Sequence, residues 1–239
     1  MHRRFSSQDF VQHNEVGGII IAVVGTLYAV VLGFLTVVVW QHFASARELV
    51  DLESAAATDA WHTAVGLPPS VRTLVRRDMQ DYANVMIDHE WAEMRHGGFD
   101  KNADILVMDA IAATGALVPA NLGEANAQAA TLYQLSVLHD DRLQRIAGNV
   151  SGVSWFEWLV LFIGAILVIC FCWLFGLRNE QTHLLMTSTV AIIIVSMLVL
   201  LFELQYPFRS DVGIGPDAWK ATADHIRLMQ TGNQMNMQM

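Results

Sequence analysis

The chain has 239 residues and a formal net charge of −9; 54% of its residues are hydrophobic and only 15% are charged. This composition is too apolar for an ordinary soluble domain and indicates a membrane protein. The acidic balance argues against a nucleic-acid partner. The sequence has no phosphate-binding glycine loop and no nucleophile elbow, so we predict no enzymatic activity, no catalytic residue, no cofactor and no metal site.

Three segments are long and apolar enough to cross a lipid bilayer, which takes roughly 20 residues of helix. They cover residues 17–40, 155–177 and 183–204. Aromatic side chains of the kind that lie at the membrane interface stand at or near their ends: Trp40, Trp155, Trp158, Trp173, Tyr206 and Phe208. We therefore predict three membrane-spanning helices.

The first span carries a line of small residues at steps of three or four: Gly18, Ala22, Gly25, Ala29, Gly33 and Thr36. On a helix these positions fall within an arc of about 80°. Small residues let helices approach closely in lipid, so the line predicts a packing seam against the other spans or against another subunit. The alternative is a pore wall, if several copies surround one axis. No charge lies in this apolar run for such a pore to use.

The segments outside the spans indicate helices and no strands. Residues 1–16 form a short polar segment. We expect the first span to continue as one helix to about residue 62, because neither Gly nor Pro interrupts it after Gly33. Ser70 is predicted to be the N-cap of a second helix that ends near His96. Two more helices are expected over about residues 102–113 and 124–147. The result is a helical extramembrane domain over residues 41–154, inserted between the first and second spans.

The rest of the chain, residues 205–239, is predicted to be a polar tail. We expect one amphipathic helix over about residues 217–229 and disorder at the end, which is rich in Gln, Asn and Met.

Two charged pairs and one histidine pattern are candidates for ion pairs or a metal site. The i, i+4 spacing of Asp141 and Arg145 predicts a surface salt bridge. Glu203, near the end of the third span, is expected to reach the interface or to pair with Arg209. The spacing of the histidines in HEWAEMRH does not match a zinc-protease motif, and we predict no metal there.

Several motifs occur in an order that is typical of one family. VVGTLYAVVLGF and VVVWQHF come first, followed by ARELVDLESAA, LPPSVR, DYANVMIDHEWAEM, LHDDRLQRI and LQYPFRSDVGIGPDAW. Together they resemble the bestrophin-like family of bacterial membrane proteins. The matching positions are Tyr28, Trp40, Glu53, Tyr82, Glu90, Trp91, Arg142, Arg145, Pro207 and Phe208. The chain departs from the pattern after Phe208, where Arg209 stands and the Gly of the family's Pro-Phe-Gly motif is missing.

The resemblance implies a function and an assembly. Bestrophins are pentameric anion channels with two spans, a cytoplasmic helical domain and two further spans. Apart from the first span, this is the order predicted here. Many members of the bestrophin-like family carry a further N-terminal span before an Arg-rich segment, and this sequence starts at that segment. We expect either a natural three-span variant or a start that was set late.

We therefore predict an all-α, multi-pass protein of the bacterial inner membrane. The leading hypothesis is a homo-oligomeric channel or transport protein for a small anion. The alternative is a non-transporting scaffold or sensor whose helical domain binds a partner protein, since residues 41–154 carry fifteen acidic and eight basic side chains. The Lys and Arg residues near the span ends favour a cytoplasmic position for that domain.

Overall fold

The computed structural model describes residues 7–174, 180–210 and 212–236, and within these ranges it contains eight α-helices and no β-strand. The helices are α1 (Ser7–Thr63), α2 (Pro69–Val85), α3 (Trp91–Met94), α4 (Lys101–Gly115), α5 (Leu122–Val150), α6 (Trp155–Leu174), α7 (Glu180–Leu204) and α8 (Asp217–Asn236). A π-helical turn, Met86–Glu90, joins α2 to α3. Residues 175–179, between the second and third spans, lie outside the described residues.

The chain divides into two compact units. The membrane unit comprises Met1–Gln41 and Gly152–Gln205, and the helical unit comprises His42–Ser151 and Tyr206–Met239. Three helices in the described residues are long and apolar enough to cross a membrane: the first part of α1, all of α6 and all of α7. The predicted fold class is therefore confirmed: an all-α membrane protein with three spans and a helical domain inserted between the first and the second.

Helix α1 has 57 residues and continues into the helical unit without a break. Beyond residue 41 its buried side chains recur at steps of three or four: Phe43, Ala46, Val50, Glu53, Ala57 and Ala60. This spacing gives one inward face, and the alanines on it allow neighbouring helices to approach closely. Glu53 is the acidic residue on that face, and it is fully buried.

Local capping explains where α4 and α5 begin. Asp100 accepts a hydrogen bond from the Asn102 backbone N–H at 2.7 Å and caps α4. Asn121 caps α5 in the same way through the Glu124 N–H. The predicted Ser70 cap is wrong, because α2 begins at Pro69. Proline is favoured at the first helical position because its φ is already helical and its missing N–H would have no partner there.

The C-terminal segment belongs to the helical unit. Trp219 and Ile226 of α8 are fully buried, and α8 packs against α2. The helix extends to Asn236, seven residues beyond the predicted end. The structure thus continues α8 into the Gln-, Asn- and Met-rich end, where we expected disorder. Residues 237–239 lie outside the described residues.

Candidate functional site

Four charged side chains meet in the core of the helical unit, and we call them the buried ion cluster. Glu53 comes from α1, Glu90 from the π-helical turn, and Arg142 and Arg145 from the inward face of α5. All four side chains are 0% exposed. Two positive and two negative charges balance within the cluster, which is the condition under which ionised groups persist away from water.

Arg145 holds α1 and the π-helical turn together. Its Nε and Nη2 donate to the two carboxylate oxygens of Glu53, at 2.5 Å and 3.0 Å. Nη2 also donates to Glu90 Oε1 at 3.1 Å. The hydroxyl of Tyr82 donates to Glu53 Oε1. Glu53 therefore receives a two-pronged guanidinium contact and a phenol, a geometry that lysine could not reproduce.

Arg142 connects the same cluster to the start of α4. Its Nη1 donates to Glu90 Oε1 at 2.8 Å, and its Nε donates to Asp104 Oδ1 at 2.7 Å. Its Nη2 donates to the carbonyl of Asp100 at 2.7 Å. The Asp100 N–H in turn donates to Glu90 Oε2 at 2.6 Å. Both Glu90 oxygens are thus satisfied, and α4 and α5 are tied to one carboxylate.

The carboxylates decide the charge state of the cluster. Burial lowers the pKa of Arg145, but the charge and hydrogen bond of Glu53, together with Tyr82 and the charge of Glu90, outweigh burial and raise the pKa above its ordinary value. Burial, together with the Glu53 charge, raises the pKa of Tyr82 well above its ordinary value. The arginine remains charged and the phenol keeps its proton, so the hydrogen bonds persist throughout the physiological pH range.

Trp91 links the cluster to the C-terminal segment. Its ring centre lies 5.3 Å from the Arg145 guanidinium carbon, and it packs edge-on against Phe208. Its indole N–H donates to the carbonyl of Ile214 at 2.8 Å. The Ile214 N–H bonds back to the carbonyl of Pro207, also at 2.8 Å. The Pro207-Phe208 motif therefore closes a turn that lies against Trp91.

Arg209, the departure from the family motif, has a defined place in this unit. Although we expected it to pair with Glu203, its Nη2 donates to the carbonyl of Asn149 at 2.8 Å. The guanidinium lies over Gly97, which has a φ of +81° and where a Cβ atom would come within 2.7 Å of Nη2. Any other residue at position 97 would be strained and would push Arg209 away.

The predicted surface salt bridge between Asp141 and Arg145 is wrong. Arg145 points inward to Glu53 and Glu90, and Asp141 is itself largely buried, with its Oδ2 atom lacking a hydrogen-bond partner. The i, i+4 spacing shows that two side chains are neighbours on a helix, but not which way the helix faces. Burial raises the pKa of Asp141, and the charges of Glu53 and Asp140 raise it further.

The structure brings together most of the predicted motif positions, though not all. The buried ion cluster and its immediate neighbours contain Glu53, Tyr82, Glu90, Trp91, Arg142, Arg145, Pro207 and Phe208. Tyr28 and Trp40 lie in the membrane unit. Sequence reasoning missed Asp100 and Asp104; the only signal was an Asp that directly precedes the predicted helix.

The line of small residues lies in the membrane unit and faces open space. A Cβ atom added at Gly18, Gly25 or Gly33 would meet nothing within 4 Å. Gly25, Gly33, Ala29 and Thr36 line a groove of about 440 Å³ whose opposite wall is made by apolar side chains of α6 and α7. The hydroxyl of Thr36 donates to the carbonyl of Leu32, so it brings no free donor to the groove.

The close contact between spans occurs elsewhere. The Tyr28 ring lies directly over Gly164 of α6, where a Cβ atom would collide with it. The Tyr28 hydroxyl donates to the carbonyl of Leu161 at 3.2 Å. Gly164 is therefore the small residue that allows α1 and α6 to meet, and the sequence analysis did not single it out.

Comparisons with known proteins agree with this architecture. The family model described as Bestrophin-like domain matches residues 1–219. The fold is similar to the crystal structure of a bacterial bestrophin homologue from Klebsiella pneumoniae that carries one mutation. The TM-score is 0.66, the alignment covers 93% of this chain and 92% of that chain, and 16% of residues are identical. A comparison with curated proteins finds no match. The chain belongs to the bestrophin-like family, as its motifs predicted.

Proposed function

We propose that the chain assembles into a closed ring of copies in the membrane and forms a channel for small anions. In this proposal the small-residue line of α1 lies at the ring axis or against the neighbouring copy. The observation that carries it is the open groove beside that line, because the described part of the chain does not cover it.

The lipid environment makes this groove significant. Helices in a bilayer associate through close packing, and small residues serve that purpose only where another helix lies against them. Within the chain, α1 approaches α6 at Tyr28 and Gly164, and not along the line. A second copy could fill the groove, or several copies could leave a water path between them.

An apolar path is compatible with conduction. Hydrophobic constrictions gate channels by losing and regaining water, so a wall without charge fits a gate better than a selectivity filter. The choice of an anion rests on the family resemblance. The charges that would select the ion must then lie outside the apolar run.

The first experiment is the mass and symmetry of the full chain purified in detergent, by light scattering and particle imaging. We expect a closed ring of at least four copies. A monomer or a simple dimer would overturn the central pore. A ring that passes no chloride in a liposome flux assay would favour the alternative, a scaffold or sensor whose acidic helical domain binds a partner protein.

Cysteine pairs test which face of α1 meets the axis. In a background with Cys170 and Cys172 replaced by serine, we expect Gly33→Cys copies to cross-link on oxidation. Val38→Cys is the matched control, because Val38 lies on the opposite side of the same helix and is 57% exposed. Equal cross-linking of the two variants would contradict the proposed position of the line.

We further propose that the protein is a multi-pass protein of the bacterial inner membrane with its helical unit in the cytoplasm. The positive-inside rule supports this orientation. In the same cysteine-free background, exposed Ser70→Cys should react with an impermeant thiol reagent only after the cells are opened. Labelling of intact spheroplasts would place the helical unit on the other side.

A further inference from the structure

Two histidines from distant parts of the chain meet on the helical unit. His62 lies in the last turn of α1, and His225 lies on α8. Their Nε2 atoms are 3.1 Å apart, and their ring centres are 5.4 Å apart. A hydrogen bond between two imidazole nitrogens requires that at least one ring is neutral, so this pair has a lone pair at the point of contact.

We propose that His62 and His225 together bind a first-row transition-metal ion such as Zn²⁺, Ni²⁺ or Cu²⁺. Imidazole nitrogens lie about 2.0–2.1 Å from such an ion, so two of them are about 2.9 Å apart at a right angle and about 3.3 Å apart at a tetrahedral angle. The observed 3.1 Å falls between these values, but the ring centres are 5.4 Å apart, which shows that the two Nε2 atoms point directly at each other as in a hydrogen bond. Each ring must therefore turn by about 35–45° before both nitrogens can ligate one ion, and the exposed side chain of His225 has room to turn.

The surroundings determine which ions the pair accepts. His225 is exposed, so an ion can enter from water and retain water in its remaining positions. No group of three metal-ligating side chains occurs among the described residues, so the site offers two imidazoles alone. Imidazole suits Zn²⁺, Ni²⁺ and Cu²⁺ and disfavours Mg²⁺ and Ca²⁺, which prefer oxygen.

Metal binding would fasten α8 to the end of α1. In its outer half, α8 is held by weak polar contacts, including the Gln230 amide to Gln80 at 2.8 Å and Arg227 to Asn84 at 3.5 Å. Its inner half packs Trp219 against Tyr82, whose hydroxyl bonds the buried ion cluster. A ligand that binds only the docked position of α8 stabilises that position.

The test uses the full chain in detergent with no affinity tag, titrated with Cu²⁺ and followed by electron paramagnetic resonance. We expect one bound ion per chain with hyperfine structure from two imidazole nitrogens. His62→Gln and His225→Gln should each reduce this to at most one nitrogen and weaken Zn²⁺ binding, measured by calorimetry, at least tenfold. His96→Gln, which removes another exposed histidine, should change neither result.

Two outcomes would overturn the proposal. The first is a two-nitrogen signal that persists in both variants, because the copper would then be bound by other histidines. The second is unchanged Zn²⁺ affinity in His225→Gln. His225 is exposed, so its replacement should leave the metal-free melting temperature within a few degrees of the parent protein. This variant alone decides the matter if His62→Gln folds poorly.

Discussion

In the helical unit, charged side chains lie in the core, whereas in the membrane unit, apolar side chains face outward. Glu53, Glu90, Arg142 and Arg145 are all fully buried and paired with one another. By contrast, only 6% of the most apolar stretch of the first span is buried within the chain, and 17% of each of the other two. The charges in the core of the helical unit are paired within the chain, whereas most of the apolar surface of the membrane unit is left to its surroundings.

The two units also use small residues differently. In the helical unit, alanines such as Ala57 and Ala60 are fully buried on the inward face of α1. In the membrane unit, Gly25 and Gly33 of the same helix have open space where a side chain would lie. A small residue with a close neighbour is explained by packing, because it allows that neighbour to approach the helix. One without a neighbour in the described residues is not explained by packing within a single chain.

Breaking the buried ion cluster should have the largest effect on stability. We expect Arg145→Met to lower the free energy of unfolding by about 3–5 kcal/mol, because it leaves the buried Glu53 carboxylate without its main partner and removes one of the contacts to Glu90. Denaturant unfolding of the detergent-purified chain, followed by circular dichroism, measures the loss. Adding Glu53→Gln to this variant should recover part of the loss, since it removes one unpaired charge. A cost below about 1 kcal/mol would show that the cluster relaxes or hydrates freely.

Two glycine substitutions in the membrane unit distinguish packing between helices of one chain from packing between copies. Gly164→Ala should destabilise the fold by about 1–3 kcal/mol, because the new methyl group meets the Tyr28 ring. The matched control, Gly25→Ala, should leave thermal unfolding unchanged, since nothing lies near its Cβ position. If Gly25 faces another copy, this control should instead change the oligomer mass. Equal destabilisation by both variants would remove the distinction between the two kinds of small residue.

The hydroxyl of Tyr82 should contribute less than the arginines. Tyr82→Phe removes one donor to Glu53 but leaves the two-pronged contact from Arg145, so we expect a loss of about 1–2 kcal/mol. Tyr133→Phe on α5 is the control, because Tyr133 is 66% exposed. Urea unfolding of the two variants measures the difference. A neutral Tyr82→Phe would mean that Arg145 alone satisfies Glu53.

Much of this fold could be predicted because its signals are local. The three spans follow from runs of apolar residues, and the long α1 follows from the absence of Gly and Pro between Gly33 and Gly66. Family motifs selected the members of the buried ion cluster, but spacing along the chain could not show that they meet. Their contacts join α1, α2, the π-helical turn and α5, across as many as 92 residues of sequence.

The errors share one physical cause. Arg145 was expected to pair with Asp141, and Arg209 was one of two expected destinations for Glu203, because both inferences rested on nearby positions in the sequence. The structure pairs each arginine with a more distant or less obvious acceptor, Glu53 and the carbonyl of Asn149. A backbone carbonyl that accepts a hydrogen bond cannot be identified from the sequence. The packing of α8 could have been predicted, because Trp219 and Ile226 are apolar residues at helical spacing in a polar segment, and both are buried.

The smallest effect concerns Asp141, the neighbour of the cluster that lacks a full set of partners. Because burial raises its pKa, the folded protein binds a proton at Asp141 more tightly than the unfolded chain does. This group therefore reduces stability most at pH values above its folded-state pKa. The penalty fades as the pH falls towards the ordinary Asp value of about 4.

Asp141→Asn should thus stabilise the detergent-purified chain at neutral pH, by less than about 1 kcal/mol. The gain should shrink as the pH is lowered, because the parent carboxyl then becomes neutral as well. Asp140→Asn, one residue away on an exposed side chain, should give a smaller trend, because it removes only the neighbouring charge that raises the pKa of Asp141. Melting temperatures of the three proteins between pH 4 and 8 measure the effect.

If Asp141→Asn is instead destabilising at pH 7, the charged carboxylate must have a favourable interaction with Arg142 or Arg145. The helical unit would then hold one more paired charge, and its contrast with the membrane unit would be sharper still.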